Sequence, residues 1–231
     1  MSKKKLLSLA LVVIMIAILS FSSLAWFSDS DDVTNEFLIA GSDDADPDEI
    51  FSVDVWEDND GDGQPDDNGD GLTYEDILPG DLLMKRAYVA NTGSYEQYIR
   101  VTVTISDAEA WINALGANFD VTKVFVNYDA NMWCHVWNNL NEATAIPETI
   151  TYVMYYKEIL PVDGKITVFT DIQIPTTLTQ EQAAAFSNDN VPGFTIDVKA
   201  DAVQTRNVGV DANTPAEDAA WTAFNYVAAN P

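Results

Sequence analysis

The chain carries one cysteine, Cys134, and one histidine, His135. A single cysteine excludes a disulfide within the chain, so any exported form must rest on its apolar core. A single histidine leaves a zinc site in need of unusual carboxylate or cysteine help. The two residues are adjacent, and neighbours in a strand point to opposite faces, so they do not read as a nucleophile–base pair. Positive charge is also scarce. Eleven Lys and Arg stand against 37 Asp and Glu, for a formal net charge of −26. Nucleic acid is therefore excluded as an expected partner, because phosphate binding needs a basic patch. Neither H-E-x-x-H nor G-x-S-x-G occurs. Carboxylates are so abundant that no pair stands out as a catalytic dyad, and no enzymatic activity is expected. No internal repeat of solenoid length is present.

Apolar material is plentiful. At 47% hydrophobic and 11% aromatic over 231 residues, the chain can bury a core of one domain, at most two. It opens with "MSKKKLLSLALVVIMIAILSFSSLAWFSD". Lys3 to Lys5 form a charged start, Leu6 to Leu19 an apolar run, and Ser23-Leu24-Ala25 a small-x-small site. This is the grammar of a secretory signal peptide, residues 1–25, with cleavage expected after Ala25. As an uncleaved anchor the apolar run falls short of the ~20 residues a spanning helix needs. Membrane contact is expected only through this segment, and the mature protein is expected outside the cell. Cleavage removes three lysines and no acid, so the mature chain becomes more acidic still.

Residues 26–49 are polar and acidic around one apolar island, "FLIAG". Residues 50–231 read as an all-β domain. In "IFSVDVW", Phe51, Val53 and Val55 alternate with polar residues. "DLLMKRAYVANTGSYEQYIRVTVTIS" reads as two strands flanking an "NTGS" turn, an antiparallel hairpin, with Ile99, Val101, Val103 and Ile105 on one face. "FDVTKVFVNY", "TITYVMYYKEIL", "KITVFTDIQIP" and "FTIDVKADAVQT" add strands rich in β-branched and aromatic residues. "PVDGK" supplies a turn at Gly164. Short helices are expected in "DAEAWINALG", in "LTQEQAAAF" with a Thr179–Gln182 capping box, and in "TPAEDAAWTAFNY" with Thr214 as N-cap. Many short strands and few helices indicate an antiparallel β-sandwich.

The densest signal is "EDNDGDGQPDDNGDG", seven carboxylates in fifteen residues. Asp58, Asp60 and Asp62 alternate, Gly63 follows, and Asp66 comes three residues later. Alternate carboxylates converge when the backbone curls, and the glycine permits the turn. Hard oxygen ligands at this spacing suit Ca2+, which takes 6–8 oxygens at ~2.3–2.6 Å. The pattern restarts at Asp66, Asn68 and Asp70, with Asp76 or Glu75 to close a second site. Neither turn is a full EF-hand, since Gly69 and Ile77 occupy the twelfth positions. As a merely solvated loop the run would hold adjacent carboxylates ~6 Å apart, at ~0.7 kcal/mol of repulsion per pair in water. A cation in the loop, residues 57–76, removes that cost. The stretch resembles the aspartate-rich loops of thrombospondin type 3 repeats. Separately, Trp133, His135 and Trp137 would share one face of a strand. That is a glycan-stacking platform if exposed, and ordinary core or subunit-contact packing if not.

Several stretches in order resemble the TasA/camelysin family of exported proteins cut by the SipW-type signal peptidase. They are "SLAWFSD", "VTNEFLIAG", "LPGDLLMKRAYVANTGSYEQYIRVTV", "YYKEILPVDGKITVFTDIQIP", "FTIDVKADAVQ" and "AEDAAW". The acidic run between Trp56 and Pro79 is an insertion relative to shorter members. The resemblance implies a jelly-roll sandwich and a structural role in extracellular biofilm matrix fibres. It implies self-assembly, in which an N-terminal strand of one subunit completes the sheet of the next. From the residues themselves, Val33 to Ala40 is the candidate donor: Phe37, Leu38 and Ile39 are apolar between acidic flanks, and a sheet edge would satisfy their backbone. The same segment also reads as the first strand of its own domain. Two other readings stand beside the fibre subunit: a camelysin-like cell-surface metallopeptidase, and a calcium-dependent adhesion or glycan-binding module that needs Trp133 and Trp137 exposed.

Overall fold

The computed structural model describes residues 28–32, 52–58, 77–116, 120, 123–141, 145–183, 185–186 and 194–230. These residues form two antiparallel sheets with short helices between and after the strands. The strands are β1 (Ser28–Asp32), β2 (Val53–Asp58), β3 (Leu82–Asn91), β4 (Gln97–Ile105), β5 (Phe125–Val126), β6 (Trp133–Asn138), β7 (Ile150–Tyr156), β8 (Lys165–Gln173) and β9 (Ile196–Gln204). The helices are α1 (Ala108–Leu115), α2 (Gln180–Ala183) and α3 (Ala219–Ala229). One sheet has the order β1-β9-β4-β7-β6, the other β2-β3-β8-β5.

Alternation builds the core. On β4, Ile99, Val101, Val103 and Ile105 are fully buried between the sheets, while Arg100, Thr102 and Thr104 face outward. β9 lies antiparallel to β4 from Gln97↔Gln204 to Ile105↔Ile196, which sets Val198 and Ala200 on the same inner face. Val53, Val55, Ala87 and Val89 of the other sheet join this cluster, so one core serves both sheets. Phe125 and Phe169 stack at 4.3 Å across β5 and β8. Trp111 of α1 meets Phe186 and Phe194 edge-on, both at 4.9 Å.

The two strands around "NTGS" form as expected, but they do not pair. β3 pairs with β2 and β8, and β4 pairs with β9 and β7. The connection is an arch from one sheet to the other. Its cause is Asn91, the buried last residue of β3. Its side-chain amide donates to the Tyr95, Leu160 and Pro161 carbonyls at 2.8, 3.1 and 3.1 Å, and its Oδ1 accepts from the Gly93 N–H. The Thr92 and Gly93 N–H groups both donate to Ser52 O instead of closing a hairpin turn. The strand expected over "FDVTKVFVNY" is a strand only at Phe125–Val126 among the described residues, ended by Asn127 at φ 59.

The helices follow the sequence in part. The capping box on α2 is formed: Thr179 N–H donates to Gln182 Oε1 at 2.9 Å, and Gln182 N–H donates to Thr179 Oγ1 at 3.2 Å. Thr214 is not an N-cap. Its hydroxyl closes a turn with Asp211, and a 3-10 turn over Ala216–Asp218 leads into α3. Gly164 does close the "PVDGK" turn, donating to Pro161 O at 2.8 Å. A Cβ there would stand 2.7 Å from that carbonyl, so the turn requires glycine.

Candidate functional site

The acidic run starts inside a sheet. β2 continues to Asp58, opposite Arg86 of β3. Glu57 shares the inner face with Val53 and Val55 and forms a buried ion pair with Lys85. Asp58 is also buried, its carboxylate 3.5 Å from the Arg86 guanidinium. Lys85 and Arg86 stand where β3 bulges between Met84 and Ala87. Such a bulge re-aims side chains, here two cations toward two acids. Of the residues expected to bind calcium, Asp58 is thus a paired residue of the sheet. Asp60, Asp62, Asp66, Asn68, Asp70 and Asp76 lie outside the described residues. Among the described residues, no group of three or more His, Cys, Asp and Glu side chains could hold a metal ion.

The segment that follows the expected cleavage site forms a sheet edge. β1 pairs antiparallel with β9 from Ser28↔Val203 to Asp32↔Lys199. Its sequence, SDSDD, holds only residue types poorly suited to strands. The candidate donor segment, Val33 to Ala40, begins at the next residue and lies outside the described residues.

A third feature escaped the sequence. β6 bulges between Cys134 and Trp137, and His135 sits at φ 46. The extra residue shifts the alternation. Trp133 stays in the core at 2% exposure, whereas Trp137 is 38% exposed, so the face expected to carry Trp133, His135 and Trp137 together does not exist. The bulge turns Cys134 and His135 both toward α3. Cys134 packs into the cluster beneath that helix and donates to Tyr155 O at 3.4 Å. Burial, with Asp218 nearby, pushes the Cys134 thiol up from its ordinary value. His135 Nε2 lies 2.7 Å from Asp218 Oδ1, and its ring stacks on Trp221 at 4.5 Å. An isolated histidine and cysteine gave no hint of this clasp; the i, i+3 spacing of Asp218, just before α3, and Trp221 in its first turn was the available signal.

α3 closes the outer face of the first sheet. Ala219, Ala220, Ala223 and Phe224 cover Tyr98, Tyr155 and Val203. Arg100 lies 4.7 Å over the Phe224 ring and donates from Nε to Asp201 at 2.9 Å. Burial pulls the Arg100 guanidinium down, but the Asp201 ion pair and hydrogen bond outweigh it and push it up.

Comparison with protein-family models, with curated proteins and with solved structures finds no match.

Proposed function

We propose that the chain is a secreted structural subunit of extracellular matrix fibres, of the TasA/camelysin kind. It assembles by donating its N-terminal segment to a neighbouring sheet, and calcium in the acidic run stabilises it. A signal peptidase releases the mature chain by cutting after Ala25. Until then the apolar leader tethers the donor at the membrane, so processing times assembly.

The observation that carries this reading is β1 on the edge of β9. Ser and Asp make a weak strand, so β1 is easily displaced. Its removal leaves a row of unpaired β9 backbone groups, a template for an incoming strand. The apolar stretch from Val33 to Ala40 is tied directly to it. Burying Phe37 in a neighbour contributes ~1.5–3 kcal/mol.

The strand order supports a jelly roll. With β2 set aside, the β1-β9-β4-β7 and β3-β8-β5 orders interleave early and late strands as two folded Greek keys do. The departure is β6, which pairs with β7 instead of extending the β5 side. A peptidase role has less support, because His135 is engaged by Asp218 and covered on one ring face by Trp221.

The test is deletion of Val33 to Ala40 from the mature chain. Loss of filaments supports strand donation. Filaments identical to those of the intact mature chain overturn it.

A further inference from the structure

β1 begins at Ser28, close behind Ala25, where cleavage is expected. Trp26 and Phe27 alone stand between the cut and the sheet. Two extended residues span at most ~7 Å. From Ser28 to Asp32 the chain is committed to β9, in register from Ser28↔Val203 to Asp32↔Lys199. β9 is a fixed template, since its other side pairs with β4 from Gln97↔Gln204 to Ile105↔Ile196. β1 is the edge strand of that sheet, so it can leave without breaking any other strand pair.

Two demands meet at this short stretch. A peptidase takes its substrate as an extended segment whose backbone pairs with the enzyme on both sides of the cut. Folded segments are cut from their locally opened form. Backbone groups of β1 that pair with β9 are not free to pair with an enzyme. The sandwich, held within ~7 Å of the scissile bond, also stands where the enzyme must approach.

We propose that β1 is a gate on processing: a signal peptidase cuts after Ala25 only while β1 is off β9. This rests on the reading of residues 1–25 as a signal peptide and adds the regulation of the cut. It also gives a reason for the sequence SDSDD, which is otherwise ill suited to a strand. Val and Thr at these positions would hold the gate shut. Ser and Asp keep docking weak, so the open form is well populated. When opening and reclosing are fast, the rate of cutting is the open fraction times the rate for an open chain. The rest of the sandwich can therefore be folded before the cut, and β1 settles on β9 after it.

The test uses the full precursor, residues 1–231, in detergent with a purified signal peptidase. Ser30→Cys with Asp201→Cys, in a Cys134→Ala background, places a disulfide between register partners of β1 and β9. The oxidised precursor should be cut after Ala25 at least tenfold more slowly than the same protein reduced. Asp32→Cys with Lys199→Cys repeats the lock while keeping the Arg100–Asp201 pair intact. Asp29→Thr with Asp31→Thr, a better strand, should be cut more slowly than the native precursor. Equal rates for oxidised and reduced precursor, with the cut after Ala25, overturn the gate and leave the signal-peptide reading standing. Failure of both cysteine pairs to form a disulfide means that β1 does not occupy β9, which also overturns the gate. A reduced precursor that is not cut after Ala25 overturns the signal-peptide reading and the gate with it.

Discussion

Asp58 of β2 holds its carboxylate 3.5 Å from the guanidinium of Arg86 on β3, fully buried at the point where the acidic run begins. The run is therefore anchored to a sheet at its first two residues, Glu57 and Asp58. Calcium held in the rest of the run, as proposed, would stabilise the fold it is anchored to, because a ligand that binds only the folded state adds stability by mass action. Extracellular sites of this kind have Kd of ~10⁻⁴–10⁻³ M. In 10 mM calcium, ~10–100 times Kd, the gain is ~1.4–2.7 kcal/mol, or roughly 3–10 °C in Tm for a domain of this size. Calorimetry in 10 mM CaCl2 against 10 mM MgCl2 checks this. The double variant Asp62→Asn with Asp66→Asn should abolish the calcium increment, and no increment in the native chain contradicts it.

Asn91 ties the inter-sheet arch to two other loops. Asn91→Ala removes its hydrogen bonds to the Tyr95, Leu160 and Pro161 carbonyls and from the Gly93 N–H, while Leu160 O keeps the Gln97 N–H and the Gly93 N–H keeps Ser52 O. Each such bond contributes ~0.5–1.5 kcal/mol net. A total loss of roughly 2–4 kcal/mol in urea unfolding is expected. Asn91→Asp should fail to rescue, since a carboxylate cannot donate to the three carbonyls.

That arch marks the limit of what the sequence discloses. Alternation in β4, β7, β8 and β9 was legible because one face of each is buried and period two follows from the pleat. The capping box on α2 was legible because its chemistry is local. Partners were not. Turn residues in "NTGS" report that the chain bends, and a hairpin and an arch bend with the same residues. What distinguishes them is Asn91 reaching Leu160, 69 residues away. The bulge in β6 was hidden for the same reason, since it depends on Trp133 staying in the core while His135 is drawn to Asp218. Thr214 carried a good cap sequence, but Asp211 captured its hydroxyl first. The calcium residues beyond Asp58 rest on spacing alone.

Glu57 and Lys85 form a buried pair at the foot of the acidic run. Removing one partner leaves a charge in the interior, which costs ~3–5 kcal/mol. Lys85→Met should lose about that much. Glu57→Leu combined with Lys85→Met should recover most of it, because a hydrophobic pair of similar volume replaces both charges. Chemical denaturation of the three variants separates the two effects.

The mature protein should have no general protease activity. Casein incubated with it should remain intact, with or without zinc. Cleavage that disappears on chelation and in His135→Ala would establish the metallopeptidase reading in its place.

The central claim is that the mature chain is a fibre subunit. Electron microscopy of purified residues 26–231 in millimolar calcium tests it most directly, beside the same chain still carrying residues 1–25. The account predicts filaments of uniform width from the cleaved chain and none from the uncleaved one. A cleaved chain that stays monomeric at high concentration, in calcium, would contradict it.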